Sequence, residues 1–126
     1  NHITELEICR NAYSVYDSWL AQTLQGQNPA DIFKKAGIKT VAIYGAGYIG
    51  KSICKLMKNT DTQVVFYLDR NADYINLEIP AYTIENSPER VGGIIISLFK
   101  EAESIKADLK KKYDCPIYTI REILHL

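Results

Sequence analysis

A glycine triplet at residues 45–50 constrains the fold of this chain more than any other feature. The apolar run 41–44 leads into Gly45-x-Gly47-x-x-Gly50, and apolar residues at helical spacing follow. The pattern predicts a strand, a tight turn and a helix. Its glycines would permit the turn, a close approach of phosphate and close helix–strand packing. The predicted phosphate contacts, at the helix N-terminus, are Gly45, Ala46, Gly47, Tyr48, Ile49 and Gly50.

A second apolar segment, residues 63–68, ends at an acid, Asp69. Asp69 follows Gly50 by about 20 residues, the separation at which dinucleotide-binding folds place the carboxylate that accepts a hydrogen bond from ribose. We therefore predict that Asp69 contacts a ribose hydroxyl and favours NAD over NADP. The adjacent Arg70 is a candidate anion contact that softens this preference, with a solvated loop arginine as the alternative.

The same glycines permit a second interpretation. Residues 45–52 also fit Gly-x-x-x-x-Gly-Lys-Ser, the P-loop, in which Lys51 would reach the terminal phosphates and Ser52 would hold magnesium. Asp69 would serve either fold, as a ribose or a magnesium ligand. The chain leaves little length after Ser52 for the rest of a nucleotide hydrolase. We therefore favour the dinucleotide interpretation and keep the P-loop as the alternative.

Residues 92–99 form a continuous apolar run, which is typical of a parallel strand buried on both faces. The carboxyl end of this strand is expected beside Gly45, at the point where the strand order of such sheets reverses and ligands bind. Ser97 and Leu98 are therefore candidate ligand contacts. The alternative is that they simply begin a loop.

The remaining segments complete a small α/β fold. Residues 77–83 and 115–118 are predicted as short strands and 101–113 as a helix, and Thr119 with Glu122 has the spacing of a capping box at the start of a last helix. The sequence therefore predicts a Rossmann-like, doubly wound parallel sheet of about five strands.

A long helix is predicted at residues 3–25, which contain neither Gly nor Pro. It carries two apolar stripes, and one stripe is enough to pack on the domain. We favour a helix that is simply clamped onto the sheet, and the second stripe keeps a homodimer or an interdomain contact through this helix as the alternative. One stripe comprises Leu6, Cys9, Tyr13, Tyr16, Leu20 and Leu24, and the other comprises Ile8, Ala12, Val15 and Trp19.

A short second helix is predicted to begin at Pro29, with Asn28 as its N-cap and Gly37 as the glycine that follows its end. Two helices thus precede the sheet. We therefore divide the chain into an N-terminal helical extension, residues 1–37, and a nucleotide-binding domain, residues 38–126.

Composition narrows the classes of partner and compartment. Fifteen basic and fifteen acidic residues cancel, so there is no overall field to attract nucleic acid. The three cysteines form no C-x-x-C pair, which favours free thiols in a reducing compartment, and we expect a cytoplasmic protein. No apolar run is long enough to span a membrane.

Several segments together resemble a known family. The glycine triplet, the strand ending in Asp69, the run Gly92-Gly93-Ile94-Ile95-Ile96-Ser97 and the segment 115–124 are similar to the compact Rossmann domains of the CoA- or NAD-binding superfamily. Such domains occur in bacterial polysaccharide- and lipopolysaccharide-biosynthesis proteins: at the front of dehydratases, in sialic-acid-type sugar acyltransferases and beside glycosyl- and methyltransferases. The resemblance implies a nucleotide ligand, either NAD, a nucleotide-sugar or CoA.

The sequence offers no catalytic or metal-binding constellation. None of the nine tyrosines is followed four residues later by lysine, the pair that short-chain dehydrogenases and sugar epimerases use for acid–base chemistry. No cluster has zinc spacing, and no Gly-x-Ser-x-Gly elbow is present. We therefore predict a binding module. The alternatives are the N-terminal half of an oxidoreductase or sugar epimerase/dehydratase, and an oligomerisation module without a ligand.

Overall fold

The computed structural model describes residues 5–72 and 78–125, without the side chains of Glu5, Ile8 and Cys9. This part of the chain folds into five helices and five strands, in the alternating order of an α/β domain. The helices are α1 (Glu5–Leu24), α2 (Asp31–Lys35), α3 (Tyr48–Met57), α4 (Ala102–Lys110) and α5 (Ile120–Leu124), and the strands are β1 (Thr40–Tyr44), β2 (Gln63–Leu68), β3 (Ala81–Tyr82), β4 (Gly93–Ile96) and β5 (Ile117–Thr119).

The five strands form one parallel sheet in the order β3-β2-β1-β4-β5. The chain winds outwards from β1 to β3, then returns to the other side of β1 and winds outwards again through β4 and β5. The order therefore reverses between β1 and β4, where Tyr44 pairs with Ile96. The predicted doubly wound parallel sheet is confirmed.

Helices cover both faces of the sheet because the side chains of each strand alternate between faces. On β1, Val41 and Ile43 belong to a core shared with α1, α2, α3 and α5. Ala42 and Tyr44 belong to a second core on the opposite face, which α4 covers. All four are buried, which explains why the central strands are continuous apolar runs.

The N-terminal helices belong to the first of these cores. Val15 and Trp19 of α1 and Phe33 of α2 are each at most 3% exposed. Gln22 Nε2 also donates a hydrogen bond of 3.0 Å to the carbonyl of Leu124, at the end of α5. The helix is thus clamped onto the domain through its second stripe. The domain boundary at residue 37 stays a prediction, although both helices share the core of the sheet.

Helix α2 begins two residues later than predicted. The Asn28 side chain accepts a hydrogen bond of 2.9 Å from the N–H of Ala30, so it closes a turn before the helix and does not cap it. The helix begins after Ala30. Gly37 has the positive φ, 72°, that was expected of a residue beyond a helix C-terminus.

The other boundary errors concern short elements. Helix α4 starts after Glu101, which has a left-handed backbone with φ 61° and cannot belong to the helix. Strand β3 is only two residues long and lies at the sheet edge, directly after Pro80. Leu77, where this strand was predicted to begin, lies outside the described residues.

Candidate functional site

The glycine turn lies at the carboxyl end of β1, at the point where the strand order reverses. Gly45 has φ +98°, a conformation that L side chains rarely adopt. A Cβ on Gly45 would lie 2.5 Å from Ser97 Oγ, and a Cβ on Gly50 would lie 1.9 Å from the carbonyl oxygen of Gly45. These two glycines are therefore required by the chain itself, one for the turn and one for packing α3 against it.

Gly47 differs from its two neighbours in the motif. Its φ is −83°, which any residue can adopt. Apart from its chain neighbours and the backbone of α3, no atom in the described part of the chain lies within 4 Å of a Cβ built on it. Gly47 is also exposed and is the N-cap of α3, where no side chain caps the helix. The first N–H groups of a helix have no partner within it, so this end of α3 can receive an anion. Gly is one of the residues preferred at an N-cap, but no steric contact with the described residues requires it here.

Asp69 connects β2 to the glycine turn. It directly follows the last residue of β2, and its Oδ2 accepts a hydrogen bond of 3.0 Å from the N–H of Ala46. Oδ1 accepts a bond of 2.9 Å from the N–H of Asn71. Each carboxylate oxygen has two acceptor sites, so Asp69 can fix the turn and still accept a hydroxyl. The anchoring bond to Ala46 was not anticipated from the sequence.

Ser97 supports the turn from the β4 side. Its side chain is buried, and Oγ donates to the carbonyl of Tyr44 at 2.8 Å, with the carbonyl of Gly45 at 3.2 Å. The Ser97 N–H also donates to the carbonyl of Tyr44, at 3.0 Å. The hydroxyl is thus directed at the backbone of the turn. Leu98, by contrast, is exposed and lines a shallow cavity of about 340 Å³ at the carboxyl ends of β4 and β5.

An ion pair joins the segments that follow β2 and β4, the two strands on either side of β1. Arg70, after β2, lies 3.2 Å from Glu101, after β4, and both side chains are largely exposed. The hydrogen bond that Arg70 donates to the Tyr44 hydroxyl oxygen and the negative charge of Glu101 raise the pKa of Arg70. Glu101 and Tyr44 were missed as site residues. Both lie at the carboxyl ends of central strands, so the general rule for parallel sheets was the signal that could have identified them.

The other predicted phosphate contacts lie along the start of α3. Tyr48 is its first residue and is 71% exposed, whereas Ile49 is half-buried and packs against the core. The structure therefore brings together, at the carboxyl ends of the central strands, the glycine turn, Asp69, Arg70, Ser97 and Leu98.

The two residues specific to a P-loop are placed differently. Lys51 is in the body of α3 and lines a separate cavity of about 480 Å³ beside β2, with Cys54 and Lys55. Ser52 Oγ donates a hydrogen bond of 2.8 Å to the carbonyl of Tyr48. Because α3 starts at Tyr48, Gly50 is helical and the loop before it is too short to wrap a phosphate chain. The geometry favours the dinucleotide turn.

The described residues contain few groups suited to catalysis. Among them, no group of three or more His, Cys, Asp or Glu side chains could hold a metal ion. Cys54 and Cys115 are free thiols, and burial raises the pKa of Cys115, which makes it a poor nucleophile at neutral pH. His125 is exposed, and His2 and Cys9 are outside the described side chains. In the same part of the chain, no helix is long and apolar enough to cross a membrane.

Comparison with known proteins gives limited similarity. No family model matches the chain, and no curated protein matches it. Among solved structures, the chain is similar to D-2-hydroxyisocaproate dehydrogenase, with 20% identity and a TM-score of 0.39 over 67% of this chain. The chain spans about a quarter of the length of that structure, 26%. The fold assignment therefore rests on the strand order and pairing of this chain.

Proposed function

We propose that this chain is a nucleotide-binding module that takes NAD(H) or a nucleotide-sugar, with CoA as a further candidate. The observation that carries the proposal is Gly47. Gly45 and Gly50 are explained by internal contacts, but beyond its chain neighbours and the backbone of its own helix no atom of the described residues lies within 4 Å of a Cβ at Gly47. A glycine at the uncapped N-terminus of a helix leaves room for a pyrophosphate to contact the backbone.

In this proposal the ligand lies across the carboxyl ends of β1, β2 and β4. Its pyrophosphate meets the backbone from Gly45 to Gly50, and a ribose hydroxyl donates to the free acceptor sites of Asp69. Arg70 offers a positive charge beside the ribose. Leu98 provides an apolar contact on the β4 side, while Ser97 holds the turn in shape.

The wider role that we propose rests on the sequence resemblance. The module would be an accessory or regulatory part of a larger bacterial, cytoplasmic protein of cell-surface polysaccharide biosynthesis. The chain itself presents binding groups and no acid–base pair in the described residues. If the protein is an enzyme, we expect its catalytic groups on another domain.

Calorimetric titration with NADH, UDP-sugars and CoA tests the proposal. We expect one ligand class to bind the wild type, and Gly47→Val to abolish binding while the protein stays folded. Asp69→Ala should weaken binding as well. Absence of binding by all three classes would refute the proposal.

Lys51→Ala is the control that separates the two nucleotide folds. Lys51 lies in the body of α3, so its replacement should leave NADH affinity unchanged. Magnesium-dependent ATP binding that disappears in Lys51→Ala would instead identify a P-loop protein.

A further inference from the structure

Helix α1 has apolar side chains on two opposite sides. Val15 and Trp19 face the core and are buried. On the other side is a row that we call the outer stripe: Leu6 is 60% exposed, Tyr13 72%, Tyr16 39%, Leu20 55% and Leu24 78%. Single exposed apolar residues are ordinary on protein surfaces, but a continuous row of them marks an interaction site.

The spacing of the outer stripe fits another helix. Leu6, Tyr13 and Leu20 are seven residues apart, and Tyr16 follows Tyr13 by three. These are the a and d positions of a heptad repeat, so the stripe runs along the helix axis and can line a second helix over the length of α1. A partner with the same repeat would bury the stripe along its full length.

Two charged residues beside the stripe indicate which helix fits. Arg10 and Asp17 are exposed and seven residues apart, so they lie on the same flank of the outer stripe. In an antiparallel two-fold pair, the same flank of each helix faces the other. Arg10 of each copy then lies opposite Asp17 of the other, and the ion pair forms twice. In a parallel pair, Arg10 would face Glu5 of the second copy but Asp17 would face Ala12, which offers no charge, so only the antiparallel pair matches both residues.

We infer that the protein self-associates through α1, which forms an antiparallel helix pair with α1 of a second copy. The outer stripe forms the seam, and the two Arg10–Asp17 pairs fix its direction. A single helix pair is a small interface, so the dimer exchanges with monomer. The glycine turn lies at the carboxyl edge of the sheet and not in this seam, so the association goes beyond the nucleotide-binding proposal.

Sedimentation equilibrium of the whole chain across the micromolar range tests this inference. We expect the wild type to dimerise. Asp17→Arg and Arg10→Asp should each weaken self-association about tenfold, because both symmetric ion pairs become like-charge contacts. An equimolar mixture of the two variants should associate again, since one variant carries only basic groups on this flank and the other only acidic groups.

Two further variants separate the seam from general effects on the fold. Tyr13→Glu places a charge in the outer stripe and should abolish association, whereas Ser14→Glu places the same charge on an exposed position beside it and should not. Circular dichroism should show unchanged helix content in both. A wild type that stays monomeric, or a dimer that is insensitive to both charge reversals, would overturn the inference and assign the stripe to another partner.

Discussion

Gly45, Gly47 and Gly50 are held by different constraints, although they belong to one motif. A Cβ on Gly50 would lie 1.9 Å from a backbone oxygen, which cannot move aside as a flexible side chain can. The space around Gly47 is open. The motif thus combines two positions that the fold requires with one beside which the described residues leave open space.

Stability measurements should separate these roles. We expect Gly50→Ala to destabilise the fold by about 3 kcal/mol or more, because the added methyl group forces α3 away from the turn. Gly47→Ala should cost no more than about 1 kcal/mol, the usual difference between Gly and Ala at a helix N-cap. Urea denaturation of both variants checks this, and equal losses would show that Gly47 has a structural role of its own.

The Arg70–Glu101 pair sets how much positive charge the site offers. Glu101 engages Arg70 at 3.2 Å. Glu101→Gln should release Arg70, so NADPH affinity should rise about threefold while NADH affinity stays constant, because only NADPH carries the 2′-phosphate. Glu103→Gln, on the exposed first turn of α4, is the matched control. An equal change in the affinities for NADH and NADPH would show that Arg70 does not face the ribose.

At the scale of the element, α5 combines a local signal with a tertiary one. Thr119 and Glu122 form the predicted capping box: Thr119 Oγ1 accepts from the N–H of Glu122 at 3.2 Å, and Glu122 Oε1 accepts from the N–H of Thr119 at 3.1 Å. Lys106 of α4 adds a bond of 2.9 Å to the same carboxylate. Burial raises the pKa of Glu122, but the bonds from Lys106 and Thr119 outweigh burial and lower it.

The lowered pKa makes α5 sensitive to acid. Because the folded pKa lies below the usual 4.5, the ionised group contributes stability above that value and loses it as the pH falls through the folded pKa. Glu122→Gln keeps the capping geometry and should cost only about 0.5 kcal/mol at pH 7, since the group is partly exposed. This cost should vanish below the folded pKa. Thermal melts from about pH 2 to about pH 7 measure this cost, and Glu89→Gln at an exposed position is the control. A cost that does not change with pH would contradict the prediction.

The elements show why some predictions were confirmed and others were not. The glycine turn, the capping box and the buried strands depend on neighbouring residues, so their pattern was sufficient to predict them. Other roles depend on partners distant in the chain. The hydrogen bond from the Ala46 N–H to Asp69 joins the ends of two strands. Glu101, which was predicted as the first residue of α4, has a left-handed backbone and precedes the helix. Sequence spacing carries no signal for either of these.

At the scale of the whole molecule, the connection from β3 to β4 departs from a regular doubly wound fold. In the described residues this connection contains no helix, and Lys112, which follows the end of α4, holds it in place. Lys112 Nζ donates to the carbonyls of Ile84 and Ser87 at 2.7 and 2.8 Å and to Ser87 Oγ at 2.9 Å. Lys112 thus supplies donors to carbonyl groups that have no helical partner in this connection.

Loss of this lysine should therefore affect the whole fold. Lys112→Met keeps the length of the side chain but removes three hydrogen bonds, and we expect it to cost about 2 kcal/mol. Lys111→Met is the matched control, because the Lys111 side chain is exposed and forms an i,i+3 ion pair with Asp108. It should cost less than about 0.5 kcal/mol. Urea denaturation distinguishes the two, and similar small losses would mean that the connection does not need this anchor.

Nucleotide binding should also stabilise the whole molecule, because the proposed site joins β1, β2, β4 and α3. A ligand that binds only the folded state at about 100 times its Kd adds about 2.7 kcal/mol to the free energy of unfolding. Gly47→Val should show no such gain. Asp17→Arg should show the full gain, since α1 meets its second copy away from the carboxyl edge of the sheet. Thermal shift with NADH on all three proteins measures this, and a reduced gain in Asp17→Arg would mean that self-association and nucleotide binding are coupled.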